Sequence, residues 1–139
     1  MKTELTLCDE DASVAIAAIR AELNTRGKRA AIAVTDPHGE LIALLRLSGT
    51  ALNAMTVATN KAFTAARLRR SSAELGRAVR HPQAGYDIAY FGDGRYVGFA
   101  GGLPVMKDGY VLGAVGVSGL SQAEDEELAQ VGVAAILAR

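Results

Sequence analysis

Apolar positions along this chain change their period several times, and each change marks a predicted element. Behind Asp9, the residues Ala12, Ala15, Ile16, Ile19 and Leu23 recur at three-four spacing, which predicts an amphipathic helix capped by Asp9 and closed by Gly27. Ala30–Thr35 and Glu40–Leu47 read as strands, and Asp36-Pro37-His38-Gly39 between them has the residues of a type I turn in order. After a break at Ser48-Gly49, the residues Ala51, Ala54, Met55, Ala58, Ala62 and Ala65 draw a narrow stripe of mostly small residues along a helix reaching about Leu68. Ser71 with Glu74 forms a capping box, so a short separate helix follows and stops before His81-Pro82.

From His81 to Gly94 the chain loses its periodicity and reads as an ordered loop with some edge pairing, the most mobile segment expected. Arg95–Ala100 reads as a strand leading into Gly101–Gly119, the stretch that the rest of the chain covers. There Leu103–Met106 and Tyr110–Ser118 flank Asp108-Gly109, the pair that a type I′ hairpin turn needs. With Lys107 facing Tyr110, strict alternation puts Met106, Val111, Val115 and Val117 on one face and Val105, Leu112 and Ala114 on the other. Both faces are apolar, so the hairpin must be covered twice. Gly113 and Gly116 point to a close approach by a helix, a ligand or another chain. Ser121 with Glu124 caps a last helix through Leu128, Val131, Ala135 and Leu137.

The order α-ββ-α-α-βββ-α predicts an α/β protein of the α+β type, with one antiparallel sheet of about five strands flanked by helices. At 139 residues without repeats or a linker, residues 1–139 make one domain. Fifteen Lys and Arg balance fifteen Asp and Glu, so no overall basic excess draws the chain to nucleic acid or an anionic membrane. The basic run Arg67-Leu68-Arg69-Arg70 is what a helix C-terminus favours. No apolar run reaches membrane-spanning length, and the single cysteine, Cys8, fits a reduced cytoplasmic setting. Aromatics are few and Ala and Gly abundant, so close backbone packing replaces bulky side chains, in the manner of cores that continue across subunits.

Three segments together, AVTDPHGELIALLRLSG, NKAFTAARLRRSSAELG and GGLPVMKDGYVLGAVGVSGLSQAEDEELA, resemble the GlcG/HbpS heme-binding family, also seen as the C-terminal domain of PduO proteins. The resemblance covers nearly the whole chain and rests on Lys61–Ala65, the glycines of the second hairpin and Asp125-Glu126 in combination. It implies a profilin-like α/β sandwich, assembly into homo-oligomers, and heme as a ligand in some members. Other members accompany catabolic genes and look like small-molecule enzymes or accessory factors. The family's shared motif includes no fixed heme ligand.

Candidate chemistry is narrow. Only His38 and His81 supply imidazole; His38 sits in a tight turn as an ordinary polar residue, which leaves His81 as the candidate heme axial ligand or acid-base group. Tyr86, Tyr90 and Phe91 either wall a flat apolar ligand or cover core. Lys61, within the small-residue helix, reads as an anion-binding or proton-transfer group, or else as a structural Lys pairing with Asp36, Glu126 or a backbone carbonyl. Arg46, late in a strand, can clamp a carboxylate or heme propionate and converge with Lys61, or can form a structural ion pair. Ser118 and Gly119, before the last helix, present backbone N–H groups to an anion or cap the helix, and Gly101 and Gly102 complete the ligand-binding set. No zinc spacing, P-loop, dinucleotide fingerprint or nucleophile elbow is present.

Two functions compete on this reading. One is a cytoplasmic homo-oligomeric binder of heme or a related planar carboxylate-bearing ligand. The other is a cofactor-free isomerase, tautomerase or hydrolase of a small unsaturated acid, in which Lys61 or His81 moves a proton and Arg46 holds the carboxylate. An accessory subunit without a pocket is the third alternative.

Overall fold

A computed structural model describes all residues from Met1 to Arg139. The elements in chain order are α1 (Asp9–Arg26), β1 (Ala31–Thr35), β2 (Leu41–Arg46), α2 (Asn53–Leu68), α3 (Ser72–Val79), β3 (Gly102–Lys107), β4 (Tyr110–Ser118) and α4 (Gln122–Leu137). The four strands form one antiparallel sheet in the order β2-β1-β4-β3. No helix is long and apolar enough to cross a membrane.

The sheet has four strands, not five, because Arg95–Ala100 does not pair. Its backbone groups are satisfied by side chains instead. The Val97 N–H donates to Thr64 Oγ1 at 2.9 Å, the Ala100 N–H to Gln122 Oε1 at 3.1 Å, and the Ser72 hydroxyl donates to the Phe99 carbonyl. These bonds tie the segment to α2, α3 and α4 rather than to a neighbouring strand.

The predicted turns and caps hold elsewhere. Asp108 and Gly109 adopt φ of 52° and 80° between paired Lys107 and Tyr110, as a type I′ turn requires. Ser71 and Ser121 cap α3 and α4 by accepting the N–H of Glu74 and Glu124. At α1 the cap is Cys8 rather than Asp9, and Asp11 reaches back to accept the Cys8 N–H at 2.9 Å.

Two unlike layers cover the sheet. On one face α1 and α4 meet the strands through large aliphatics, with Ile19, Leu23, Ile32, Val34, Val115, Val117 and Leu128 all buried. On the other face α2 meets them almost entirely through alanine: Ala54, Ala58, Ala62, Ala65 and Ala66 against Ala31, Ala33 and Ala114. Backbones therefore approach closely, and a Cβ at Gly116 would fall on the Ala58 carbonyl oxygen and lie 2.8 Å from the Ala62 nitrogen. The glycine interruptions in β4 thus serve helix-on-sheet packing.

Strict alternation fails in the β3–β4 hairpin. Val105 pairs with Gly113 but Met106 pairs with Val111, so Leu112 is an extra residue in β4. This bulge moves Val105 to the face of Val115 and Val117, and Leu112 packs against the same cluster. The freed Leu112 carbonyl accepts the Leu7 N–H at 2.9 Å, which draws the N-terminal segment along the sheet.

Candidate functional site

Lys61 is the buried polar centre of the molecule. It stands on the sheet side of α2, is 2% exposed, and its Nζ donates to the Val117 carbonyl at 3.0 Å and to Asp125 Oδ2 at 2.9 Å. Asp125 comes from the first turn of α4, on the opposite face of the sheet, and its Oδ1 accepts the Leu120 N–H at 3.1 Å. The pair therefore pins the alanine layer to the aliphatic layer beside the end of β3. Glycine makes room for it: at Gly101, with φ of 125°, a Cβ would lie 2.8 Å from Lys61 Nζ and 2.9 Å from the Asp125 Cβ. A Cβ at Gly102 would fall on the Lys61 carbonyl. Burial pushes the Asp125 carboxyl above the ordinary carboxylate range, partly offset by the Lys61 hydrogen bond and charge.

The partner of Lys61 is therefore Asp125, together with the Val117 carbonyl, and neither Asp36 nor Glu126. Asp125 looks in sequence like one more acid favoured by a helix N-terminus. Fully buried, Lys61 presents no face to a ligand, and it does not meet Arg46. Arg46 lies exposed at the end of edge strand β2, in register with Ala31, whose other neighbour is Ser118, and forms no ion pair. Ser118 is 8% exposed, and a Cβ at Gly119 would lie 3.3 Å from the Ala30 Cα. The amide after Gly119, that of Leu120, is already held by Asp125.

His81 follows α3 with its ring exposed, and Nδ1 accepts the N–H of Gln83 at 3.2 Å and of Ala84 at 3.0 Å. A neutral imidazole accepting at Nδ1 carries its proton on Nε2, so iron ligation through Nε2 requires that proton to leave or the ring to release its loop. The aromatics beyond it stack on one another rather than standing free. Tyr86 lies parallel on Phe91 with centroids 5.6 Å apart, Phe91 meets Tyr96 edge-on at 4.8 Å, and Tyr96 meets buried Phe63 of α2 at 5.1 Å. This chain of rings anchors the loop, and Tyr86, 42% exposed, keeps an outer surface open. Tyr90 is exposed and takes no part in the stack. His38 is paired through Nε2 with Glu4 at 3.1 Å.

Two of the clefts on the surface are ligand-sized. The first, of about 530 Å³, lies between the N-terminal segment, the turn at Pro37, the end of α2 and the Asp108-Gly109 turn. It combines the cations Lys2 and Arg69 with Leu5, Val111 and the ring of Tyr110. The second, of about 670 Å³, lies between α3 and α4 beside β3 and carries Glu74, Glu126 and Glu127 against Arg77. Sequence reading missed the first cleft because Arg69 looks like an ordinary helix-end cation, and the bulge that brings in the N-terminal segment leaves no sequence mark.

An antiparallel sheet clad by alanine on one face and aliphatics on the other, with a cross-layer Lys-Asp pair and a cationic cleft at the turn end, defines a small α/β scaffold with a ligand-sized opening. Residues 7–134 match the family model described as "Haem degrading protein HbpS-like", and the chain belongs to that family. Protein GlcG of Escherichia coli K12 is 37% identical over 118 residues, 85% of each chain. The corrinoid adenosyltransferase PduO of Salmonella typhimurium is 31% identical over 105 residues, but the aligned part spans only 31% of PduO's length. Among solved structures, Klebsiella pneumoniae protein ORFY is similar over 100% of this chain and 96% of its own, with a TM-score of 0.93 at 28% identity. The PduOC:heme complex is similar over 94% of this chain and 95% of its own, with a TM-score of 0.87 at 27% identity.

Proposed function

We propose that this chain binds heme or a related planar ligand bearing carboxylates. The observation that carries the reading is its likeness, over 94% of its length, to PduOC in a structure that is a heme complex. The chain's own residues fit the periphery of such a ligand. Unpaired cations on the surface suit carboxylates, and the apolar and aromatic side chains around the first cleft suit a flat body. Heme, when bound, supplies an iron centre for redox or ligand-binding chemistry. Both imidazoles are engaged, His38 by Glu4 and His81 by two backbone N–H groups, so recognition falls to charge and apolar contact before iron ligation. His81 as axial ligand is the variant of this reading that a spectrum decides.

The same reading has the protein self-associate in the cytoplasm. Edge strand β2 leaves Leu41 and Leu44 exposed, an apolar edge that a second chain can cover. An enzyme that uses Lys61 to move a proton draws no support from a side chain buried in an ion pair. The test is a titration of the purified protein with hemin, followed by absorbance. Saturation at a fixed stoichiometry with a defined Soret band is expected; a linear, non-saturating rise refutes the proposal.

A further inference from the structure

Arg69 holds a backbone conformation that its side chain does not favour. It ends α2 at φ 57°, ψ 33°, the left-handed position that glycine or asparagine normally fills after a helix. Its neighbour Arg67 accounts for itself structurally, donating to the His38 carbonyl at 2.7 Å and lying 4.6 Å from the Phe63 ring centroid. Arg69 has no such partner: it makes no ion pair and no side-chain hydrogen bond, and it lines the first cleft. Lys2, on the facing N-terminal segment, is likewise unpaired. The one acid in the cleft, Glu4, is turned to His38 at 3.1 Å.

We infer that the cleft between Lys2 and Arg69 is where the ligand sits, its carboxylates held by these two cations and its flat body against Leu5, Val111 and Tyr110. This rests on the proposed reading of the chain as a binder of a planar carboxylate-bearing ligand. Size permits the cleft and charge selects it. Its volume of about 530 Å³ lies in the range of organic-ligand pockets. The alternative opening beside β3 presents three Glu against one Arg and repels an anion. A cation kept at a left-handed helix end, unpaired and facing a mostly polar opening that also carries Leu5, Val111 and Tyr110, is placed for an anion supplied from outside.

The inference separates from the reading beneath it in one set of titrations, with hemin and with metal-free protoporphyrin IX as probes. Arg69→Asn removes the cation while suiting the backbone, so the fold is kept; Lys2→Gln removes the other cation on an exposed segment. Each variant should bind both porphyrins about tenfold more weakly than the unsubstituted protein, and Arg69→Lys should recover part of the loss. The metal-free probe has no iron to ligate, so its loss of affinity reports on the carboxylates. If the unsubstituted protein binds and both variants bind equally well, the cleft is not the site and the inference falls alone. If the unsubstituted protein binds neither porphyrin, the functional reading falls and takes the inference with it.

Discussion

Replacing Lys61 by Met keeps the length and most of the volume of the side chain and deletes its charge. Asp125 Oδ2 then loses its only hydrogen-bond partner and the Val117 carbonyl loses the Nζ donor, while Asp125 Oδ1 keeps the Leu120 N–H. Breaking a buried pair by removing one partner costs about 3–5 kcal/mol, because the remaining charge stays out of water. A loss of that size lowers the urea midpoint by roughly 2 M and the melting temperature by roughly 10–20 °C. Adding Asp125→Asn neutralises the stranded group and retains an acceptor for Leu120, so the double variant should regain about 2 kcal/mol over Lys61→Met. Equilibrium urea denaturation followed by circular dichroism measures the parent and both variants. A cost below about 1 kcal/mol for Lys61→Met, or no recovery in the double variant, would refute the claim that this pair couples the two layers. Because Lys61 is closed to ligand, the folded fraction of Lys61→Met should bind hemin with unchanged affinity.

Acid titration carries a sign that distinguishes Asp125 from the other acids. Its carboxyl is raised by burial, so its contribution to stability is full below about pH 3.9 and is lost as pH rises through its folded-state value. Asp11, lowered chiefly by the Cys8 N–H, contributes in the opposite sense, above its ordinary value and lost on acidification. In the Lys61→Met background, Asp125→Asn should therefore flatten the fall in stability between pH 4 and neutrality, as read by urea midpoints; an unchanged pH profile would contradict the assignment. Gly116→Ala drives a Cβ into the Ala58 carbonyl and should cost about 1–3 kcal/mol, whereas Gly94→Ala meets nothing within 4 Å and should stay within about 0.5 kcal/mol of the parent in the same denaturation assay. Arg69→Asn should raise stability by about 1 kcal/mol by relieving the left-handed backbone, visible as a higher melting temperature; a lower one would count against that strain. His81→Ala should leave the Soret position of any hemin complex unchanged and loosen the Gln83–Ala84 turn, and a shifted band would instead put the iron on His81.

Local signals carried most of the fold. Asp36 to Gly39, Asp108-Gly109, Ser71 and Ser121 each act within four residues of themselves, where turn and cap chemistry is decided by residue type. The alanine stripe of α2 was legible for the same reason. What escaped depends on distant partners. Leu112 bulges between two apolar faces, so a one-residue shift leaves the hydrophobic pattern looking equally good in either register. Arg95–Ala100 has strand composition, but Thr64, Ser72 and Gln122, up to 33 residues away, take its backbone groups.

The candidate site was less legible than the fold. Lys61 stood out as a cation among small residues, yet its partner lies 64 positions on, in an acidic run that helix electrostatics already explains. The N-terminal segment and the end of α2 come together through the Leu7–Leu112 hydrogen bond, the Glu4–His38 pair and the Arg67 bond to the His38 carbonyl, and nothing local in Lys2 or Arg69 announces a shared cleft.

The most direct measurement maps the ligand on the protein. Amide chemical shifts of the isotopically labelled chain, recorded with and without diamagnetic gallium protoporphyrin IX, should move together at residues 2–5, at Arg69 and across Gly109–Val111, which wall the first cleft. Shifts confined to His81–Phe91, or no shifts at saturating ligand, would contradict the account.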